Sequence, residues 1–194
     1  MGLLSGAMQE LVIGDPKLLS TDVGPVIDGA ALEELTAHAE RMEKEFRLIG
    51  RAPLENGLHG HYMAPCAFEI DSINTLEEEV FGPVLHVVRY RSRDLDKVID
   101  EINATGYGLT LGIHSRIDRT QQYIARRVLA GNCYVNRNMI GAVVGVQPFG
   151  GERLSGTGPK AGGPHYMLRF ATERTLTVNT AAVGGNAILL ELED

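Results

Sequence analysis

Apolar residues at helical spacing dominate the first quarter of the chain. One set recurs every three or four residues and forms a single stripe on a predicted helix of about four turns: Leu32, Leu35, Ala39, Met42 and Phe46. Asp28 precedes this set and is a typical N-cap residue. Residues 3–16 (LLSGAMQELVIGDP) predict the last turns of a helix that runs into a loop, with Gly14 and Pro16 as stop signals. Because the chain opens inside a helix, we expect further polypeptide upstream.

From residue 84 onward, short apolar runs alternate with helical periods. Residues 84–88, 109–114 and 133–136 predict three strands, the first of them buried on both faces. Between the strands we predict a helix that ends before Gly106 and a second helix that is capped by Asp118. Strands and helices that alternate with short connections predict right-handed crossovers and a parallel sheet, so the predicted fold class is α/β.

The segment GAVVGVQPFGG, residues 141–151, follows the third predicted strand. Ligands of parallel α/β sheets bind beyond the carboxyl ends of the strands, so this segment falls in the predicted ligand zone, although none of its side chains is an acid or a base. A glycine-rich loop follows, and Pro164 is placed to open a short helix. Residues 174–179 (RTLTVN) alternate polar and apolar positions and predict an edge strand or an inter-subunit strand.

The charge of the chain argues against two classes of partner. The 194 residues carry a formal net charge of -7, whereas phosphate binding needs a clustered positive field, so we expect no nucleic-acid partner and no anionic membrane. No apolar run approaches the roughly 20 residues that span a bilayer, and Met1 does not open a signal sequence. We therefore expect a cytoplasmic protein with no membrane insertion.

The two cysteines and the scattered histidines predict neither a nucleophile nor a metal site. Cys66 has no nearby histidine or helix start that would lower its pKa. Cys133 lies in a predicted buried strand, where a free cysteine behaves as a small hydrophobic residue. His59 and His61 alone cannot complete a metal shell, so we expect no metal site.

Two stretches leave alternatives open. Residues 156–163 (GTGPKAGG) contain a Gly-x-Gly pattern, but Pro159 interrupts the row of amides that a phosphate cradle needs, so tight turns are favoured over a nucleotide-phosphate site. Glu79 ends an acidic run before a strand. It is either a solvated charge or a carboxylate that accepts hydrogen bonds from sugar hydroxyls, as acidic residues do in dinucleotide sites. Spacing alone does not decide between these two interpretations.

Two separated motifs resemble the aldehyde dehydrogenase superfamily, which carries EVFGPVL (residues 79–85) and QPFGGERLSGTG (residues 147–158) in this order. Within that superfamily, residues 131–151, 156–166 and 177–187 resemble the L-glutamate γ-semialdehyde (Δ1-pyrroline-5-carboxylate) dehydrogenase domains of bacterial proline utilization A, which are bifunctional enzymes of proline breakdown. The resemblance runs from Gly6 to the last residues. It implies the later part of the catalytic domain at residues 1–172, with a parallel Rossmann-like sheet and helices, and an oligomerisation strand and tail at residues 173–194.

The resemblance also implies roles for individual residues. Glu79 would bind the nicotinamide ribose hydroxyls of NAD, and Phe81 would pack beside that ribose and ring. Backbone N–H groups around Gly141 and Ala142 would hold the α-carboxylate of the aldehyde substrate, and Phe149 would flank its aliphatic chain. Hydrogen bonds to a charged group contribute about 1.5–3 kcal/mol each, so two such donors would select an acidic aldehyde over an uncharged one.

The reaction implied by the resemblance needs groups that we expect outside these 194 residues. In the family a cysteine thiolate attacks the aldehyde, a hydride passes to the nicotinamide, and the thioester is hydrolysed. That cysteine lies upstream of the first predicted helix, so we expect a chain that is inactive alone and that forms a homo-oligomer through residues 174–179. The alternative is a non-catalytic assembly module of the same family. Arg153 stands where the family usually has glycine, and a positive φ there would strain it.

Overall fold

The computed structural model describes residues 1–143 and 145–179. These residues form two small sheets and the helices around them. The helices are α1 (Gly2–Gln9), α2 (Gly29–Glu45), α3 (Leu95–Ala104) and α4 (Asp118–Arg127). The strands are β1 (Arg47–Arg51), β2 (Cys66–Ile70), β3 (Val84–Val88), β4 (Thr110–Ile113) and β5 (Asn132–Val135). Short 3₁₀ helices cover Ile73–Thr75, Ser92–Asp94, Arg153–Ser155 and Tyr166–Phe170.

The first sheet has the order β1-β2-β3, with β2 antiparallel to β1 and parallel to β3. Its central strand, β2, is almost entirely buried, and Phe68 is 0% exposed. The apolar stripe of α2 packs against this strand through Leu35, Ala39 and Met42. Burial of each large apolar side chain contributes about 1.5–3 kcal/mol, so this contact fixes α2 on the sheet. The segment that precedes β3, residues 76–83, is thereby held beside α2.

The predicted limits of α2 are confirmed by its capping. The Asp28 carboxylate accepts a hydrogen bond from the Ala31 N–H at 2.8 Å, as an N-cap residue does. The helix ends at Glu45, and Phe46 is extended while its N–H still donates to the Met42 carbonyl. The predicted helix at the start of the chain is confirmed as α1, which ends at Gln9, before the stop signals.

The second sheet consists of β4 and β5, which run parallel from the Thr110–Asn132 pair to the Ile113–Val135 pair. The helix α3 ends before Gly106, as predicted, because this glycine adopts a φ of 80°. The side chain of Asn103 then ties α3 to the end of α4: its Nδ2 donates to the Arg127 carbonyl at 2.8 Å, and its Oδ1 accepts from the Leu129 N–H at 2.9 Å. This clamp fixes the path of the chain into β5.

The α/β class is confirmed, while the strand pairing differs from the prediction. We predicted β3, β4 and β5 as neighbours in one parallel sheet, but β3 pairs with β2, and within the described residues no ladder joins β3 to β4. Among the described residues β3 pairs with β2 alone and lies at an edge of the sheet. None of its five residues is buried and Leu85 is 48% exposed, so the prediction of burial on both faces was wrong. The strands β1 and β2 were not predicted.

Two helix predictions were wrong in detail. Asp118 is the first residue of α4 rather than its N-cap; Ile117 holds that position and makes no side-chain capping bond. Pro164 does not open an α-helix, because the following residues form a 3₁₀ helix at Tyr166–Phe170.

The C-terminal segment is only partly described. Residues 174–179 form no strand with any other described residue, and an inter-subunit strand would need a second chain, so that prediction stays open. The tail from residue 180 lies outside the described residues. Within the described part of the chain, no helix is long and apolar enough to cross a membrane.

Candidate substrate and cofactor sites

The segment of residues 141–151 begins with a sharp turn that is fixed from below by β5. Gly141 has a φ of 59°, a left-handed conformation that favours glycine. Its carbonyl oxygen accepts a hydrogen bond from the Tyr134 hydroxyl at 2.7 Å. A methyl group added to Gly141 would meet no atom of a described residue within 4 Å. The turn is therefore anchored on its buried side and open on the other.

The turn also carries main-chain donors that are not used within the described residues. Within the described residues, the N–H groups of Gly141 and Ala142 donate to no protein acceptor. The next donor is used internally, because the Val143 N–H donates to the Gln147 Oε1 at 3.3 Å and the Gln147 N–H returns to the Val143 carbonyl at 2.9 Å. The turn can thus offer two amides to an anion, and since no side chain supplies charge here, the polarity comes from the backbone.

The far end of the segment is held by pairing with the glycine-rich loop. Phe149 forms a two-way backbone bridge with Ala161, with N–H to carbonyl distances of 3.0 and 2.9 Å. The Lys160 ammonium donates to the Gly131 carbonyl, and the Gly163 N–H closes a turn on the Lys160 carbonyl at 3.0 Å. The amides of residues 161 and 163 are therefore occupied by turns and pairing, which supports the turn interpretation of GTGPKAGG over a phosphate cradle.

The predicted cofactor residues lie at the other sheet, beside α2. Residues 76–81 and one face of α2 border a cleft of about 280 Å³, and the lining includes Glu79 and Phe81. Glu79 is exposed, and Phe81 is 80% exposed. Gly82 follows them, and any side chain there would collide with Leu35 of α2. A side chain at the glycine of EVFGP would therefore displace Leu35 from its packing, because this segment approaches the helix closely.

A histidine pair that was not predicted lies at this sheet, and one of its members, His38, lines the same cleft. His38 of α2 and His86 of β3 approach with their Nε2 atoms 2.9 Å apart and their rings in an edge-to-face arrangement. Burial, and then the neighbouring His38 and Arg41, lower the pKa of His86 to about 4. Burial, and then Arg41, also lower the pKa of His38, against an opposing effect of Glu78. Both rings are therefore neutral at pH 7, and one donates to the other.

The structure corrects one prediction for the cysteines. Cys133 is exposed on β5 rather than buried, because the buried side of that strand holds Asn132 and Tyr134 instead. Partial desolvation raises the pKa of Cys133, and burial raises that of Cys66. Neither thiol is therefore activated as a nucleophile. Among the residues that the structure describes, no three His, Cys, Asp or Glu side chains are grouped as metal ligands would be.

The predicted site residues thus form two groups. Glu79 and Phe81 line the α2 cleft next to the first sheet, whereas Gly141, Ala142 and Phe149 follow β5 of the second sheet. The side chains that hold the second group in place, Asn132 and Tyr134, were missed at the sequence level. Their only signal was an asparagine and a tyrosine two residues apart in a strand, which puts both on one face.

The chain belongs to the aldehyde dehydrogenase family, whose sequence profile matches residues 2–176. Its relatives include the bifunctional protein PutA of Klebsiella aerogenes, which is 53% identical over 178 residues, or 89% of this chain and 14% of that protein. A crystal structure of a mutant of proline utilization A (PutA) from Bradyrhizobium japonicum superposes with a TM-score of 0.86 at 59% identity, over 93% of this chain and 18% of that one.

A second solved relative has the same fold. The crystal structure of 1-pyrroline-5-carboxylate dehydrogenase from Thermus with bound NAD superposes with a TM-score of 0.75 at 35% identity, over 85% of this chain and 32% of that one. The chain therefore spans about a third of this relative and less than a fifth of the bifunctional ones. The names of these relatives refer to proline utilization and to 1-pyrroline-5-carboxylate dehydrogenase.

Proposed function

We propose that this chain is part of an NAD-dependent L-glutamate γ-semialdehyde dehydrogenase, which oxidises the semialdehyde to glutamate. The observation that carries the substrate assignment is the turn at Gly141 and Ala142, whose N–H groups find no protein acceptor among the described residues and border open space. An acidic aldehyde brings the carboxylate that such donors bind, and Phe149 then flanks its aliphatic chain. The name of the Thermus relative supports the same reaction.

The residues beside the α2 cleft fit the ribose of a nicotinamide cofactor. The exposed Glu79 carboxylate is able to accept hydrogen bonds from two adjacent hydroxyls, and Phe81 offers an exposed ring. Glu34, Glu77 and Glu78 line the same cleft and outnumber Arg41. This negative lining favours a group rich in hydroxyls over a phosphate. NAD, when bound, supplies the acceptor for the hydride.

The catalytic nucleophile is proposed to come from polypeptide outside this chain. The raised pKa values of Cys66 and Cys133 leave both as thiols at neutral pH. We accordingly infer that the chain alone is inactive and that it works in a cytoplasmic homo-oligomer, with residues 174–179 at the subunit contact. The exposed apolar side chains of that segment, Leu176 and Val178, support the contact.

The test is a pair of substitutions in the complete enzyme that carries this chain. Gly141→Leu should raise the KM for the semialdehyde at least tenfold while the KM for NAD changes less than twofold, because the side chain fills the space in front of the amides. Glu79→Gln should show the reverse pattern. Gly145→Leu is the matched control for backbone strain, since Gly145 also has a positive φ, of 79°, and open space around it. Equal effects of Gly141→Leu on both KM values would place the carboxylate anchor elsewhere.

A second candidate is the non-catalytic assembly module, which the exposed apolar residues between 166 and 178 also favour. The same preparation of the complete enzyme distinguishes this role from a catalytic one. A complete enzyme that turns over the semialdehyde excludes a purely structural role, whereas an inactive chain that co-purifies with a full-length relative supports it.

A further inference from the structure

We propose that Tyr134 is a positioning residue that aims the Ala142 N–H at the substrate carboxylate. This inference rests on the proposed function and deepens it, since it names the side chain that creates the main-chain anchor. Tyr134 lies on β5, is only 5% exposed, and reaches the anchor from its buried side.

The direction of the Tyr134 hydroxyl proton follows from its partners. The Asn132 amide is fixed first: its Nδ2 donates to the Pro148 carbonyl at 3.0 Å, and its Oδ1 accepts from the Gly150 N–H at 3.2 Å. Each of these main-chain partners permits one orientation of the amide. The same Nδ2 lies 3.2 Å from the Tyr134 oxygen, which must therefore accept there. The single hydroxyl proton of Tyr134 is left for the Gly141 carbonyl, 2.7 Å away.

This hydrogen bond sets the direction of the next amide. The Gly141 carbonyl and the Ala142 N–H belong to one planar peptide unit, and in a trans peptide they point in opposite directions. Because Tyr134 holds the carbonyl toward the buried side, the Ala142 N–H points away from Tyr134, where it meets no acceptor among the described residues. A hydrogen bond to the carbonyl also polarises the peptide and strengthens its N–H as a donor. Tyr134 thus affects both the direction in which the Ala142 N–H points and its strength as a hydrogen-bond donor.

Freedom of rotation at Gly141 makes such a restraint necessary. Glycine adopts both signs of φ readily, so a peptide next to it flips easily unless its carbonyl is held. The Tyr134 ring is itself held from the solvent side, where the Arg137 guanidinium lies 4.8 Å from the ring centre. Asn132 joins this restraint to the other end of the segment through Pro148 and Gly150. Two neighbouring side chains of β5 therefore fix both ends of the loop.

The test compares Tyr134→Phe with Tyr90→Phe in the complete enzyme. Tyr134→Phe removes one oxygen and keeps the ring, and Tyr90, which is 51% exposed, is a control for loss of a phenol outside the two sites. We expect Tyr134→Phe to lower kcat/KM for glutamate semialdehyde about tenfold, through KM, and to weaken binding of L-glutamate in calorimetry by a similar factor. Its kcat/KM for propanal, which has no carboxylate, and its KM for NAD should change less than twofold.

A merely structural role would lower the activity on both aldehydes equally, and this result would overturn the proposal, as would no change on either. Ala142→Pro removes the N–H itself and distinguishes the role of Tyr134 from the proposed function. Loss of semialdehyde preference in Ala142→Pro but not in Tyr134→Phe refutes the role of Tyr134 and leaves the proposed function standing. No loss in Ala142→Pro, or no semialdehyde turnover by the parent enzyme, refutes the proposed function instead.

A double variant and an isosteric replacement complete the experiment. If Tyr134 acts through the Ala142 amide, Tyr134→Phe adds nothing further to Ala142→Pro, and additive losses would contradict the mechanism. If Tyr134→Phe does not fold, 3-fluorotyrosine at position 134 keeps the shape and makes the hydroxyl a stronger donor. It should tighten L-glutamate binding relative to the parent enzyme, and unchanged or weaker binding would refute the role.

Discussion

Arg153 combines backbone strain with useful hydrogen bonds in a single residue. Its φ is 57°, the positive value at which the resemblance to a glycine position predicted strain. Its guanidinium donates to the Asn103 carbonyl and, at 3.2 Å, to the Tyr107 carbonyl. These contacts connect the start of a 3₁₀ turn to the end of α3 and the residues that follow it. The side chain therefore offsets part of the strain that its backbone creates.

Substitutions at this position separate strain from hydrogen bonding. Arg153→Ala and Arg153→Gly both remove the guanidinium, but only alanine keeps a Cβ in the left-handed region. The glycine variant should be the more stable of the two by about 1 kcal/mol. Urea unfolding of the two variants side by side measures the difference. Equal stabilities would show that the positive φ at residue 153 carries no cost.

The histidine pair gives the fold a specific dependence on pH. His86 has a folded pKa of about 4, lowered by burial and then by His38 and Arg41 from the ordinary value of 6.5. The unfolded chain therefore binds a proton at a higher pH than the folded one. This contribution to stability is fully present above pH 6.5 and is lost as the pH falls from 6.5 toward 4.

Replacement of His86 should flatten this part of the pH profile. We expect the unfolding free energy of His86→Gln to fall less between pH 7 and pH 5 than that of the parent chain, because glutamine takes up no proton. His114→Gln, at an exposed histidine, should keep the parental slope. Parallel pH profiles for all three proteins would contradict the assignment.

At the scale of helices and strands, the sequence predicted the features that depend on residues close together along the chain. The stripe and the Asp28 cap predicted α2, and Gly106 predicted the end of α3, because capping and glycine act within one helix turn. Strand pairing joins distant residues, so the sequence could not show that β3 pairs with β2 instead of β4. The strand β2 follows a proline and spans five residues, too few for periodicity to distinguish it from a loop.

In β5, hydrophobicity alone led to a wrong prediction of which side chains are buried. Cys133 is the more apolar residue and was predicted to be buried, yet Asn132 and Tyr134 are buried because hydrogen bonds satisfy their polar atoms. The predicted cofactor and substrate residues came from motif resemblance. The supports of the substrate site depend on contacts between a strand and a loop, which a single sequence does not reveal.

The Asn103 clamp gives a prediction at this scale. Asn103→Ala leaves the Leu129 N–H and the Arg127 carbonyl without their partner and should lower the unfolding free energy by about 2 kcal/mol. Asn138→Ala, at an exposed asparagine, should cost less than about 0.5 kcal/mol. Chemical denaturation compares the two. Similar small losses would mean that α3 and α4 are held by apolar packing alone.

The whole molecule exposes an unusual number of large apolar side chains toward its C-terminal end. They include Met167, Leu168, Phe170, Leu176 and Val178, each at least 67% exposed. Soluble proteins rarely leave such a group uncovered, because contact with water is unfavourable for apolar surface. The relatives are several times longer than this chain.

The chain expressed alone should therefore self-associate. Size-exclusion chromatography with light scattering should show species larger than the 21.0 kDa monomer. The double variant Leu176→Asp and Val178→Asp should shift the distribution toward the monomer, while Leu3→Asp, at an exposed apolar residue of α1, serves as the control. A parent chain that elutes as a monomer at high concentration would contradict the prediction.

The way in which β5 supports the loop bears on how substrates of related proteins can be inferred. If the main chain at Gly141 and Ala142 is what binds, the side chains of the loop other than Gly141 and Phe149 can vary as long as the path of its backbone is kept. That path is set by Asn132 and Tyr134, which lie outside the loop. Genome surveys that score only the loop would then misjudge specificity, and an asparagine and a tyrosine two places apart in the preceding strand would be the better diagnostic.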